Sequence, residues 1–170
     1  MGEIRVWRAG IESMDTLVDL HERLNREMAG YSVVCPPEAL EHGVIEKLVH
    51  RLCLREDYMV WLAYDDHGPV GFISAAVLES PLAALDYRVG TIANLYVLPE
   101  HRHRGAGRLL VDVALIALKA GGARHVELSY MVRNTTGARF WQARGFRPES
   151  VKAVLLWEPG ASDTSNTSGE

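Results

Sequence analysis

The segment Arg102-His103-Arg104-Gly105-Ala106-Gly107-Arg108 places three arginines and two glycines within seven residues, between a strand-like run and a helix-like one. A helix start offers backbone N–H groups without intrahelical partners, and the helix dipole adds partial positive charge there. Glycines at 105 and 107 let the main chain approach an anion with no Cβ in the way, while Arg102, Arg104 and Arg108 supply mobile positive charge. This chemistry suits a pyrophosphate. The plain alternative is a tight turn with solvated arginines. His101 and His103 flank Arg102 without a third ligand nearby, so they read as solvated loop residues and no metal site is expected. Cys35 and Cys53 have neither CxxC nor metal-like spacing and read as ordinary thiols outside any disulfide framework.

The elements that must position this turn follow from hydrophobic period and punctuation. Ile4 to Arg8 reads as a short strand. Ser13 or Asp15 can cap a helix that buries Leu17, Leu20, Leu24 and Met28 before Gly30. Pro36-Pro37-Glu38 opens a second helix with the stripe Leu40, Val44, Ile45, Leu48, Val49 and Leu52. Tyr58 to Tyr64 and Val70 to Leu78 read as a hairpin across Asp65-Asp66-His67-Gly68-Pro69. A polar connection from Glu79 to Arg88 leads to a strand at Val89–Val97 and a long helix from about Gly105 to Ala120. A strand at Val126–Val132, a short helix from Asn134 to Arg144 closed by Gly145, and a last strand at Val151–Trp157 complete the order. Residues 1–158 are expected to form one domain, and the Ser/Thr/Gly-rich stretch 159–170 a disordered tail. The fold class is α/β with a mixed sheet.

Three nucleotide-binding readings compete for the glycine turn. A P-loop needs GxxxxGK[ST], which is absent. A dinucleotide fingerprint needs a third glycine where this chain has Leu110. The third reading is a resemblance: Arg102-His103-Arg104-Gly105-Ala106-Gly107 matches the R/Q-x-x-G-x-G/A signature of the GCN5-related N-acetyltransferases, preceded by the family-like approach Leu95-Tyr96-Val97-Leu98-Pro99. Asn134 followed by Phe140-Trp141-Gln142-Ala143-Arg144-Gly145-Phe146 is similar to the family's second block. The resemblance implies a mostly antiparallel central sheet flanked by helices, with a splayed parallel strand pair forming an acetyl-CoA cleft. It further implies pantetheine pairing at Leu95 and Val97 and pyrophosphate on His103, Arg104, Gly105, Ala106, Gly107 and Arg108, with Tyr96 and Arg102 also among the cofactor-binding residues. Asn134 would contact the cofactor's arm.

The resemblance implies direct attack of a primary amine on the thioester of acetyl-CoA, with the Val97 N–H stabilising the oxyanion. An alkyl ammonium of pKa ~10.4 must first lose a proton, so a base or water chain is worth roughly 10²–10⁴-fold. Many relatives carry an acidic residue where this chain has Thr91-Ile92-Ala93-Asn94, and a Tyr where it has Trp141. Tyr130, Glu127 and Glu79 are substitutes in reserve, and no catalytic residue is assigned. A cofactor sensor or regulatory module is therefore the alternative function. A cationic amine could be steered by Glu27, Glu38, Glu79 and Asp86, although the same carboxylates suit a solvated rim.

With 18 basic against 22 acidic residues the formal net charge is −4, and no Lys/Arg block reaches nucleic-acid-binding density, so no nucleic acid partner is expected. Neither a signal pattern nor a bilayer-length apolar run is found, so the expectation is a cytoplasmic protein without a membrane partner. The acceptor amine, small molecule or protein, is not written in the sequence. The resemblance also allows a homodimer.

Overall fold

A computed structural model describes residues 2–80 and 87–156, apart from the side chain of Pro37. The described residues form two compact units, one ending at Asn134 and one beginning at Thr135. The first unit holds strand β1 (Arg5–Arg8), helices α1 (Met14–Ala29) and α2 (His42–Cys53), strands β2 (Tyr58–Asp65), β3 (Gly68–Glu79) and β4 (Arg88–Val97), helix α3 (Ala106–Ala120) and strand β5 (Ala123–Leu128). The second holds helix α4 (Thr135–Ala143).

The sheet runs in the order β1-β2-β3-β4-β5, antiparallel throughout except for the parallel pair β4–β5. Its two faces follow from the two-residue alternation of strands. Tyr58, Val60, Leu62, Phe72, Ala76 and Tyr96 pack into one core with Leu17, Leu20 and Leu24 of α1 and Ile45 and Val49 of α2. The α3 residues Leu110, Val111, Ala114 and Leu118 are fully buried. A Cβ on Gly90 of β4 would meet Leu118 and Val126 at 3.2 Å, which puts Val126 on the α3 side of the sheet.

Several boundaries differ from the sequence reading. Pro37–Leu40 is a 3₁₀ turn, and α2 begins only at His42, with Val44 and Leu48 half exposed. Strand β5 starts three residues earlier than expected and stops at Leu128, because among the described residues its only partner is β4 and their pairing ends at Ile92↔Leu128. Residues 151–156 form no strand, and Val151, Val154, Leu155 and Leu156 are exposed. A strand needs a neighbour to satisfy its ladder, and residues 151–156 have none among the described residues. Trp157, the expected disordered tail and most of the Glu79–Arg88 connection lie outside the described residues.

Candidate functional site

The site begins at an irregularity in β4. Ser74 pairs with Asn94 and Ala75 with Ile92, so Ala93 is an extra residue with no partner on β3. Such a bulge bends its strand and increases local twist. It lies one residue beyond Ile92, the last β4 residue paired with β5. Past this point β4 keeps its ladder with β3 as far as Gly71↔Val97, while its other edge has no strand beside it among the described residues.

Which groups face that open edge follows from antiparallel alternation. The Leu98 N–H donates to the Val70 carbonyl at 2.9 Å, which fixes Leu98/Val70 as a hydrogen-bonded pair and hence Tyr96/Phe72 as the next. Leu95 and Val97 therefore direct their N–H and C=O groups away from β3, toward the opening. The Val97 carbonyl accepts a bond from Arg102 Nε at 2.9 Å.

After β4 the chain makes a 3₁₀ turn at Pro99–His101 and then the glycine segment. His103 has φ 61° and Gly105 φ 90°, both left-handed, and α3 starts at Ala106. Among the described residues no side chain caps the helix start at Gly105, and a Cβ there would meet nothing within 4 Å. The first-turn N–H groups thus open onto space that a ligand can fill. Leucines 109 and 110 show why the turn is held in place: Leu110 is fully buried, whereas Leu109 is 41% exposed.

The basic residues of the segment divide. Arg104 and Arg108 are exposed, the latter 3.7 Å from Asp112. Arg102, expected as mobile charge, instead turns inward to Val97 and to Glu27 of α1 at 2.5 Å. His101 is not solvated as expected. Its Nδ1 lies 3.2 Å from Asp65 Oδ2, which ties the turn to the end of β2. The His67 backbone N–H, and after it His101, hold the Asp65 carboxyl below its usual range.

On the face opposite α3, Asn94 Nδ2 donates to Ser74 Oγ at 3.1 Å and reaches Tyr58 Oη at 3.4 Å. Burial pushes the Tyr58 hydroxyl up, and these two partners only partly offset it. Glu127 pairs in register with Thr91 and follows Val126, so alternation puts its side chain on this same face, one residue before the end of the β4–β5 ladder. It accepts from His125 Nε2 at 2.9 Å. The other two reserve candidates differ: Glu79 is bound to Arg88 at 3.1 Å, and Tyr130 lies beyond the end of β5. The expected entrance carboxylates are thereby reduced, since Glu27 and Glu79 both have arginine partners and Asp86 lies outside the described residues.

Asn134 directly precedes α4, and its backbone N–H donates to the Met131 carbonyl at 2.9 Å. Within the second unit Trp141 stands edge-on to Phe140 and Phe146, with centroids 5.1 and 5.4 Å away, and Gly145 closes the helix at φ 91°. Among the described residues no cluster of three or more His, Cys, Asp or Glu could hold a metal, and no helix is long and apolar enough to cross a membrane.

Comparison with known proteins converges on one group. The chain is similar to the mycothiol acetyltransferase of Beutenbergia cavernae, 36% identical over 95 residues, which is 56% of this chain and 30% of that protein. It therefore spans about a third of that relative's length. A spermidine N(1)-acetyltransferase of Thermoplasma acidophilum is 23% identical over 156 residues, 87% of this chain and 91% of the other. In fold, the aminoglycoside N-acetyltransferase AAC(6')-Iy in complex with CoA superimposes with a TM-score of 0.73 at 16% identity, covering 94% of this chain and 97% of that one. The family description "Acetyltransferase (GNAT) family" matches residues 18–146, a span that holds the bulged strand, the glycine turn and the Asn134–Gly145 block, and the chain belongs to that family.

Proposed function

We propose that this protein is an N-acetyltransferase that carries the acetyl group of acetyl-CoA to a primary amine by direct attack within a ternary complex. The observation that carries this reading is the open edge of β4, where Leu95 presents its main-chain N–H and C=O and Val97 its N–H, near a helix start with no side-chain cap among the described residues. The pantetheine arm of CoA contains amides, which can pair with such an edge as a strand would. Its pyrophosphate suits the N–H groups at the start of α3, with Arg104 and Arg108 adding charge. The Val97 N–H is then the donor for the oxyanion of the tetrahedral intermediate.

The amine must lose a proton before it attacks. Glu127 is the carboxylate that supports this role best, because it stands at the mouth of the split and faces away from α3. The substrates named for the relatives, spermidine and aminoglycosides, are amines, which supports the acceptor class. The test is a screen of polyamines, aminoglycosides, amino-sugar thiols and peptides with acetyl-CoA, read by stoichiometric release of free thiol. Turnover with any of these amines establishes the reading. Tight CoA binding without thiol release across the whole screen would replace it with a cofactor sensor.

A further inference from the structure

Arg102 joins three parts of the first unit. Its Nε donates to the Val97 carbonyl at 2.9 Å, its terminal nitrogen meets Glu27 Oε2 at 2.5 Å, and its guanidinium carbon lies 5.7 Å from the centre of the Tyr96 ring. Both charged side chains are about two-thirds buried or more, at 32% and 28% exposed. A guanidinium whose charge is met this closely by a carboxylate exerts little net field on an anion a few ångströms away. Its N–H groups, however, are held in a rigid fork.

That fork acts on the strand end. The peptide between Val97 and Leu98 is held on both sides, the carbonyl by Arg102 and the Leu98 N–H by the Val70 carbonyl at 2.9 Å. The preceding peptide, between Tyr96 and Val97, has its carbonyl turned toward β3 by the alternation of the ladder. The Val97 N–H is left pointing into the opening between two fixed peptides. A strand end with one edge unpaired would otherwise be free to twist, and a donor for an oxyanion needs placement to within about 0.5 Å.

We propose that Arg102 and Glu27 are a positioning pair: they aim the Val97 N–H, and Arg102 serves the acyl-transfer step rather than the holding of phosphate. This rests on the reading of the site as an acetyl-CoA cleft. Glu27 sits on α1 while the donor sits on β4, so the pair also couples the direction of the donor to the seating of α1 against the sheet.

The experiment compares Arg102→Met, Arg102→Gln, Glu27→Gln and the Arg102→Met/Glu27→Gln double variant. Three quantities are read: CoA affinity by calorimetry, kcat with the best amine, and the Val97 amide resonance in ¹⁵N-valine-labelled protein, assigned by its loss in Val97→Ala. Arg102→Met should leave CoA affinity within about threefold, lower kcat by about 30-fold or more, and displace the Val97 resonance. Arg102→Gln keeps an N–H donor and should recover part of the loss. Glu27→Gln should lose several-fold, and adding it to Arg102→Met should lose nothing further, because the two act as one unit. A tenfold weaker CoA affinity with kcat and resonance unchanged would make Arg102 a phosphate ligand and overturn the proposal, as would losses that multiply in the double variant. If Arg102→Met does not fold, Arg102→Gln and Glu27→Gln carry the same comparison. If wild-type protein fails to bind CoA, the cleft reading falls, and an unmoved Val97 resonance in the variants then decides against the pair separately.

Discussion

A Cβ placed on Gly71 would stand 2.4 Å from the carbonyl oxygen of Tyr96 and 3.0 Å from the Cα of Val97. The end of β4 therefore lies against β3 at a distance that only glycine permits. Gly71→Ala must push the Tyr96–Val97 peptide outward, and this is the peptide that carries the Val97 N–H. We expect a stability loss of about 1–3 kcal/mol in denaturant unfolding, typical of overpacking. We also expect a fall in kcat of at least about tenfold in the folded fraction. Wild-type kcat in a destabilised Gly71→Ala protein would show that Val97 is not held by this contact.

Gly107 lies in the first turn of α3, where the N–H groups are uncapped. Gly107→Glu puts a side chain and a negative charge where the pyrophosphate is proposed to lie. Acetyl-CoA affinity should drop by about tenfold or more with the far-ultraviolet dichroism unchanged. An unaltered calorimetric titration would remove the turn from the binding site.

Glu127 and Glu79 make a controlled pair, since both were legible as reserve carboxylates and the structure separates them. Glu127→Gln should lower kcat/KM by about 10²-fold or more at neutral pH, as expected when a general base is removed. Among the described residues Glu79→Gln breaks only the exposed contact to Arg88, and it should change kcat/KM by less than about twofold. With either protein the rate should rise with pH through neutrality, because the free amine is the attacking species. Equal, small effects of both substitutions would point to a water chain rather than Glu127.

His21 gives a prediction about stability against pH. Its ring is buried, its Nδ1–H donates to the Leu17 carbonyl at 2.8 Å, its Nε2 has no hydrogen-bond partner among the described residues, and it stacks on Phe72 at 4.3 Å. Burial lowers its pKa below 6.5, so the folded protein keeps it neutral where the unfolded chain takes up a proton. Its share of stability is complete above about pH 6.5 and declines as the pH falls toward the lowered folded value, with a slope of at most about 1.4 kcal/mol per pH unit. His21→Phe should flatten that part of the curve in urea unfolding between pH 7 and pH 5. A slope unchanged in His21→Phe would assign the acid lability to other groups.

The long periodic segments were legible, and the reasons differ from those for the segments that were not. Leu17, Leu20 and Leu24 recur on one helix face because that face is buried, and the β-branched and aromatic runs on either side of Asp65–Pro69 report a hairpin whose strands are buried on both faces. Val151–Leu156 has the same apolar strand character yet forms no strand, since composition records propensity and not the presence of a neighbour. The glycine turn could be read because Gly105 answers a local conformational need, at φ 90°. Arg102 could not be read in the same way. Its partner Glu27 lies 75 residues earlier in the chain, and an arginine that points inward looks, in sequence, the same as Arg104, which is exposed.

Ala93 has a consequence of a different kind. Removing it would leave every other β4 residue with the partner it already has on β3, because Ile92 would still meet Ala75 and Asn94 would still meet Ser74. What would vanish is the bend, and with it the reason for β5 to part from β4 after Ile92. A chain shortened by this one alanine should extend its parallel ladder, gain a more regular sheet and lose the gap in which the thioester is proposed to lie. The opening beside β4 is in this sense a length mismatch between two neighbouring strands, and one surplus residue of the least chemically distinctive kind separates a continuous sheet from a split one.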